Sequence, residues 1–179
     1  MREGEDEAVK VKRVVAVAAM VVAVLGISAS SARATPAWGT YEWPVVGPVI
    51  NGFLQPASPY GSGHRGIDIA VPIGSPVRAA ASGVVAFAGS VGGSLFVSID
   101  HPDGVRTTYS WLSSIAVRRG DRVAAGEEIG TSGHGHPQIP LDHLHFGARV
   151  GDTYLDPLLL LGRPDLSALI RLAPLDGKA

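Results

Sequence analysis

From His64 onward, apolar residues recur at every second position in short runs, and glycine or proline breaks each run after roughly 8–12 residues, the rhythm of an all-β domain. The runs predict strands over Gly66–Ala70, Pro76–Ala80, Gly83–Ala88, Leu95–Asp100, Arg106–Trp111, Glu128–Thr131 and His143–Val150. Pro102-Asp103-Gly104 falls between two of them as a turn, with a glycine that accepts positive φ. The stretch Val117–Val123, followed by Gly126 and Ile129-Gly130, reads as a compact double turn. The fold class expected is an all-β core, an antiparallel sheet or sandwich. After Asp156-Pro157 the chain turns leucine-rich, which predicts a short helical tail of one or two helices within residues 158–179, with Pro164 at the start of the second.

The N-terminal third follows other rules. Lys10, Lys12 and Arg13 precede an apolar run from Val14 to Ile27, and Ala32-Arg33-Ala34 then fits a small-x-small cleavage site. That run is shorter than the roughly 20 residues a membrane span needs. Residues 1–34 are therefore expected to be a signal peptide cleaved after Ala34, or else a retained N-terminal anchor. Both readings export the functional part, to the periplasm, the cell wall or the medium. Residues 35–63 are proline-rich and carry Trp38, Tyr41 and Trp43 close together. An irregular arm is expected, either strapping its aromatics onto the domain or forming one wall of a substrate groove.

Composition narrows the chemistry. The chain has no cysteine, so disulfide partners and thiolate metal sites are excluded. Five of its 15 Lys+Arg and four of its 16 Asp+Glu lie in residues 1–34, which leaves the remainder at net charge −2. That balance argues against a nucleic-acid binder, which normally carries a basic stripe. All six histidines fall between His64 and His145. In a strand, His143 and His145 point to one face, while Leu144 and Phe146 point to the other, where a core would take them. His64 and Asp68, four apart, likewise share a face. A catalytic zinc site takes three protein ligands and keeps one position for water. His64, Asp68 and one histidine of the His143/His145 pair would supply those three, leaving the other imidazole as base or oxyanion donor. His134 and His136, on the loop before the last strand, are further candidates to face substrate. His101, beside the Pro102 turn, reads as structural.

The ordered set His64-Arg65-Gly66-Ile67-Asp68, Gly83-Val84-Val85, Val97-Ser98-Ile99-Asp100-His101 with Gly104, Thr108-Tyr109, Val117–Gly130 and His143-Leu144-His145-Phe146 resembles the lysostaphin/LytM-type zinc metallopeptidases, which are bacterial peptidoglycan endopeptidases. The resemblance runs from about His64 to Pro157. It implies a duplicated-hybrid-motif β domain over residues 64–157 and one Zn²⁺ per chain, held by His64, Asp68 and His145. It also implies that His143 is catalytic and that peptidoglycan peptides are the substrate. One departure stands out. The family's central strand usually reads Tyr-x-His-Leu, its histidine being a second catalytic imidazole, whereas this chain has Tyr109-Ser110-Trp111-Leu112. An indole N–H only donates, so Trp111 can contact substrate but cannot take up a proton. Two readings follow. One is a zinc endopeptidase of the cell wall, with a loop histidine as a possible substitute for the missing imidazole. The other is a zinc-binding, catalytically attenuated member that binds the wall or activates other hydrolases. A lipoyl-type carrier, suggested by Val117–Val123, falls because the only lysine after residue 34 is Lys178.

Overall fold

The computed structural model describes residues 35–58 and 61–163. The predicted signal peptide and the second tail helix lie outside the described residues. Among the described residues ten strands follow in chain order: β1 Val49–Asn51, β2 Gly66–Ala70, β3 Pro76–Arg78, β4 Gly83–Val91, β5 Ser94–Asp100, β6 Val105–Ile115, β7 Arg122–Val123, β8 Glu128–Ser132, β9 His143–Val150 and β10 Thr153–Leu155. Every pairing is antiparallel, in the order β1-β2-β9-β6-β5-β4-β7, with β10 on β9 and β3 joined to β6 through β8. All seven predicted strands are present. Those that differ do so at their ends, as in β4 and β5, whose hairpin carries its ladder out to Val91 and Ser94. The three unpredicted strands have two or three residues, too few for alternation to register.

The register between β2 and β9 sets the rest. Ile67 faces Phe146 and Ile69 faces Leu144, while Asp68 faces His145 and Ala70 faces His143. All four apolar members are fully buried in the core, together with Tyr109. Each such side chain contributes about 1.5–3 kcal/mol on burial, and a one-residue slip would exchange this set for the polar one. The hydrophobic face thus fixes where the histidines point.

Strand β6 has 11 residues and changes partner halfway. Val105 to Ser110 pair with β9, whereas Leu112 to Ile115 pair with β8. The change falls at Trp111, which is skipped by the β5 ladder, where Phe96 faces Ser110 and Leu95 faces Leu112. It is a bulge residue at φ +59°, the one non-glycine at positive φ among the described residues. A bulky side chain there costs on the order of 1–3 kcal/mol. The bulge re-aims the indole away from the ladder.

The turns follow their sequence signals. Gly104, at φ +83°, closes the His101–Gly104 turn. The double turn is fastened by two carboxylates that each reach back three residues, Asp121 to the Arg118 N–H and Glu127 to the Ala124 N–H. His101 bridges the Ser82 carbonyl and the Thr107 hydroxyl. In the arm, Tyr41 is buried with its hydroxyl on Asp103, and Trp43 donates to the Gly162 carbonyl, while Trp38 stays exposed. The arm is less irregular than expected, since β1 lies within it. Where the first tail helix was expected there is a single 3-10 turn at Pro157–Leu159, capped by the Asp156 carboxylate. It stops because Leu160 and Gly162 bond the Tyr41 backbone instead of continuing a helix.

Candidate metal centre

Three elements bring the site together. β2 supplies Asp68, β9 supplies His145 directly opposite it, and His64 comes from just before β2. His64 lies outside the strand proper, held by an isolated bridge to Leu54 and by its Nδ1 on the Gly52 carbonyl at 2.7 Å. That contact fixes the ring so that Nε2 faces the site, as second-sphere carbonyls do for metal-bound imidazoles. Asp68 is fully buried. Its Oδ1 lies 2.8 Å from His145 Nδ1 and 3.2 Å from His64 Nε2, and these two ring nitrogens are 3.0 Å apart. Its Oδ2 takes His136 Nε2 and Asn51 Nδ2, each at 3.0 Å.

Electrostatics follow from that crowding. Burial works to raise the Asp68 pKa, but hydrogen bonds from His145, His64 and Asn51 outweigh it and hold the carboxyl well below the usual range. Burial also pushes His64 down, yet its bonds to Asp68 and the Gly52 carbonyl reverse the sign and leave it raised. His145 goes the other way. Its burial dominates, Asp68 opposes it only in part, and His64 and His136 add to the lowering. Burial and the shared carboxylate thus shift these two histidines in opposite directions.

The donor set fits a zinc ion. Ligands about 2.0–2.2 Å from a tetrahedral centre are about 3.3–3.6 Å from one another. The His64, Asp68 and His145 donors already form a triangle with sides of 2.8–3.2 Å. Together with His136, the ligand atoms all lie within 4.8 Å of one another.

His143 is fully buried beside this group, its Nε2 3.9 Å from Asp68 Oδ1. Nδ1 donates to the Leu141 carbonyl at 2.6 Å, so Nε2 is the acceptor and takes the His136 backbone N–H at 3.2 Å. The two loop histidines part company. His136 turns inward, its ring 4.6 Å from that of His143 and 5.2 Å from Trp111, whereas His134 is exposed and paired with Asp142. Trp111 stands over the site, 5.6 Å from the His145 ring and 5.6 Å from Phe96. Asn51 and the Gly52 carbonyl are site groups that the sequence did not signal. They enter because β1 sets Asn51 across from Asp68.

Beyond Trp111 and His145 the sheet opens into a hollow lined by Arg65, Arg106, Arg149 and Tyr154. Arg106 and Arg149 face each other across β6 and β9, a like-charge pairing that is normally unfavourable. Asp100 engages Arg106, Asp152 lies 3.7 Å from Arg149, and Arg65 lies over the Tyr154 ring.

Comparison with known proteins accords with this geometry. The model of Peptidase family M23 matches residues 62–157. An uncharacterized protein of Mycobacterium tuberculosis (strain ATCC 25618 / H37Rv) is 36% identical over 176 residues, covering 94% of this chain and 68% of its own. The DD-carboxypeptidase/endopeptidase Mpg of Neisseria meningitidis (serogroup B, strain ATCC 13091 / M2091) is 42% identical over 107 residues, 58% of this chain but only 24% of that protein. Among solved structures, a zinc-containing peptidase from Vibrio cholerae superposes with a TM-score of 0.57 at 27% identity, over 66% of this chain and 39% of that one. The catalytic domain of lysostaphin from Staphylococcus simulans does so with a TM-score of 0.52 at 34% identity, over 60% and 86%. With a family match over more than half its length and a lysostaphin-type antiparallel fold, the chain belongs to Peptidase family M23.

Proposed function

We propose that this protein is a zinc-dependent endopeptidase, exported to the cell envelope, that hydrolyses peptide bonds in peptidoglycan. The observation that carries the reading is the buried Asp68 carboxylate bridging His64 and His145, with the His143 imidazole immediately behind it. His64, Asp68 and His145 would hold one Zn²⁺. Such an ion, when bound, polarises the scissile carbonyl and lowers the pKa of water.

The protein's own groups do the rest. The Leu141 carbonyl holds His143 as the Nδ1–H tautomer and so presents the Nε2 lone pair as the proton acceptor. Nε2 takes a proton from the attacking water and returns it to the leaving amine as the C–N bond breaks. The Trp111 indole, on the outer side of the site, offers an apolar face and one N–H donor to the substrate chain. The arginine-lined hollow beyond it suits a peptide bearing free carboxylates, which guanidinium groups bind with a bidentate fork. Such carboxylates occur along peptidoglycan stem peptides. Residues 1–34 are the proposed export signal.

The test is release of new amino termini from purified peptidoglycan by the full chain, beside His143→Ala and His145→Ala. Both replacements are expected to lower the rate by ~10²-fold or more. Undiminished release by His143→Ala would remove the proposed base, and absence of release by the zinc-loaded wild type would remove the activity.

A further inference from the structure

The loop from Gly133 to Asp142, which joins β8 to β9, lies across the site rather than beside it. Gly133 N–H bonds the Trp111 carbonyl at 3.0 Å, tying the loop to the bulge. Gly135, at φ +78°, rests directly on the His143 ring, where a Cβ would sit 2.2 Å from Cε1. Only glycine fits this approach and this conformation. The next residue, His136, then makes two contacts at once: its backbone N–H caps His143 Nε2, and its side-chain Nε2 reaches Asp68 Oδ2.

His136 also has the outer arrangement of an imidazole ligand. His64 places Nδ1 on the Gly52 carbonyl and turns Nε2 inward; His136 places Nδ1 on Gln138 Oε1 at 3.1 Å and turns Nε2 inward. The contrast with exposed His134, two residues earlier, shows that proximity in sequence did not bring it there.

Resting on the zinc reading above, we propose that His136 is a fourth protein ligand to the metal, so that the bound ion itself latches the 133–142 loop over His143. Three protein ligands leave a position for water, and four close the site. In the latched state the water position is taken by His136 and the proton acceptor of His143 is occupied by the His136 N–H. Both are released by one movement. Substrate must therefore displace His136, and the loop decides when the site is open.

The experiment loads the metal-free full chain with Co²⁺ and records its visible absorption, then measures Zn²⁺ affinity against a chromophoric chelator. Wild type is expected to show the intense bands of a tetrahedral site. In His136→Ala the bands should shift and weaken as water enters, with Zn²⁺ affinity lower by roughly 10–100-fold. His134→Ala, the exposed loop control, should leave both readouts unchanged. Hydrogen exchange on the wild type needs no variant: adding Zn²⁺ should slow the amides of His134, Gly135, His136 and Gln138. Identical spectrum and affinity in His136→Ala, or loop exchange indifferent to Zn²⁺, overturns the fourth ligand. If wild type binds one Zn²⁺ and His145→Ala loses it, that failure leaves the zinc reading standing. A wild type that binds no metal overturns both.

Discussion

Asp68→Asn separates the metal from the fold. The replacement is isosteric, so it opens no cavity, yet it removes the charge on which three imidazoles and Asn51 converge. An amide presents one oxygen and one NH2, so it can serve only one side of the carboxylate's four contacts as before. In the metal-free protein the lost charge-assisted bonds cost about 3 kcal/mol, net of the easier burial of a neutral group. The larger effect is on zinc. At a free concentration 1,000 times Kd, a ligand that binds only the folded state adds about 4.1 kcal/mol to stability. At roughly 4 °C per kcal/mol for a domain of this size, the wild-type melting temperature should rise by about 16 °C on adding zinc. A neutral amide is a poor ligand for Zn²⁺, so Asp68→Asn should show less than about 4 °C. Calorimetry of both proteins, with and without zinc, reads the two effects separately. A full zinc shift in Asp68→Asn would refute the assignment of Asp68 as a ligand, and a wild type without a shift would refute the site.

Trp111→His puts an imidazole on the bulge in a residue type that tolerates positive φ better than tryptophan does; peptidoglycan hydrolysis should rise by about 10-fold or more, and an unchanged or lower rate would refute the idea that the indole limits proton transfer. Arg149→Gln should raise KM severalfold for carboxylate-bearing peptides with little change in kcat and no change for amidated ones, whereas equal effects on both would remove the arginine hollow from substrate binding. Burial lowers the pKa of His101 away from the metal centre. The unfolded chain therefore takes up this proton first, near pH 6.5, and the stability His101 contributes above that pH is lost as pH falls toward its folded pKa. Urea unfolding at pH 7.5 and 5.5 should show a steeper acid loss in wild type than in His101→Gln, by at most about 1.4 kcal/mol per pH unit, and parallel losses would refute the assignment.

What was legible in the chain tracks how far apart the cooperating residues are. β9 could be read because one short segment contains its own contrast: Leu144 and Phe146 need a core, and His143 and His145 alternate with them. β2 was legible for the same reason. That Asp68 faces His145 was not, because cross-strand register belongs to a pair 77 residues apart and is settled by which apolar faces meet. Asn51 was further out of reach, on a three-residue strand in a proline-rich arm with no periodicity to mark it. Trp111 was visible as a departure from a familiar pattern, but its positive φ was not. Nothing local favours that conformation for an indole, which is held there by the change of partner from β9 to β8. The sharpest case is His134-Gly135-His136. Its two histidines carry the same local signal, yet one pairs with Asp142 at the surface and the other reaches Asp68. The discriminator is the missing Cβ of Gly135, whose space the His143 ring fills. A glycine in a sequence announces room for a neighbour, and only the fold says which neighbour takes it. Here the occupant is the imidazole proposed as the base, so the residue that admits the loop to the site is also the one that determines how closely His143 is covered.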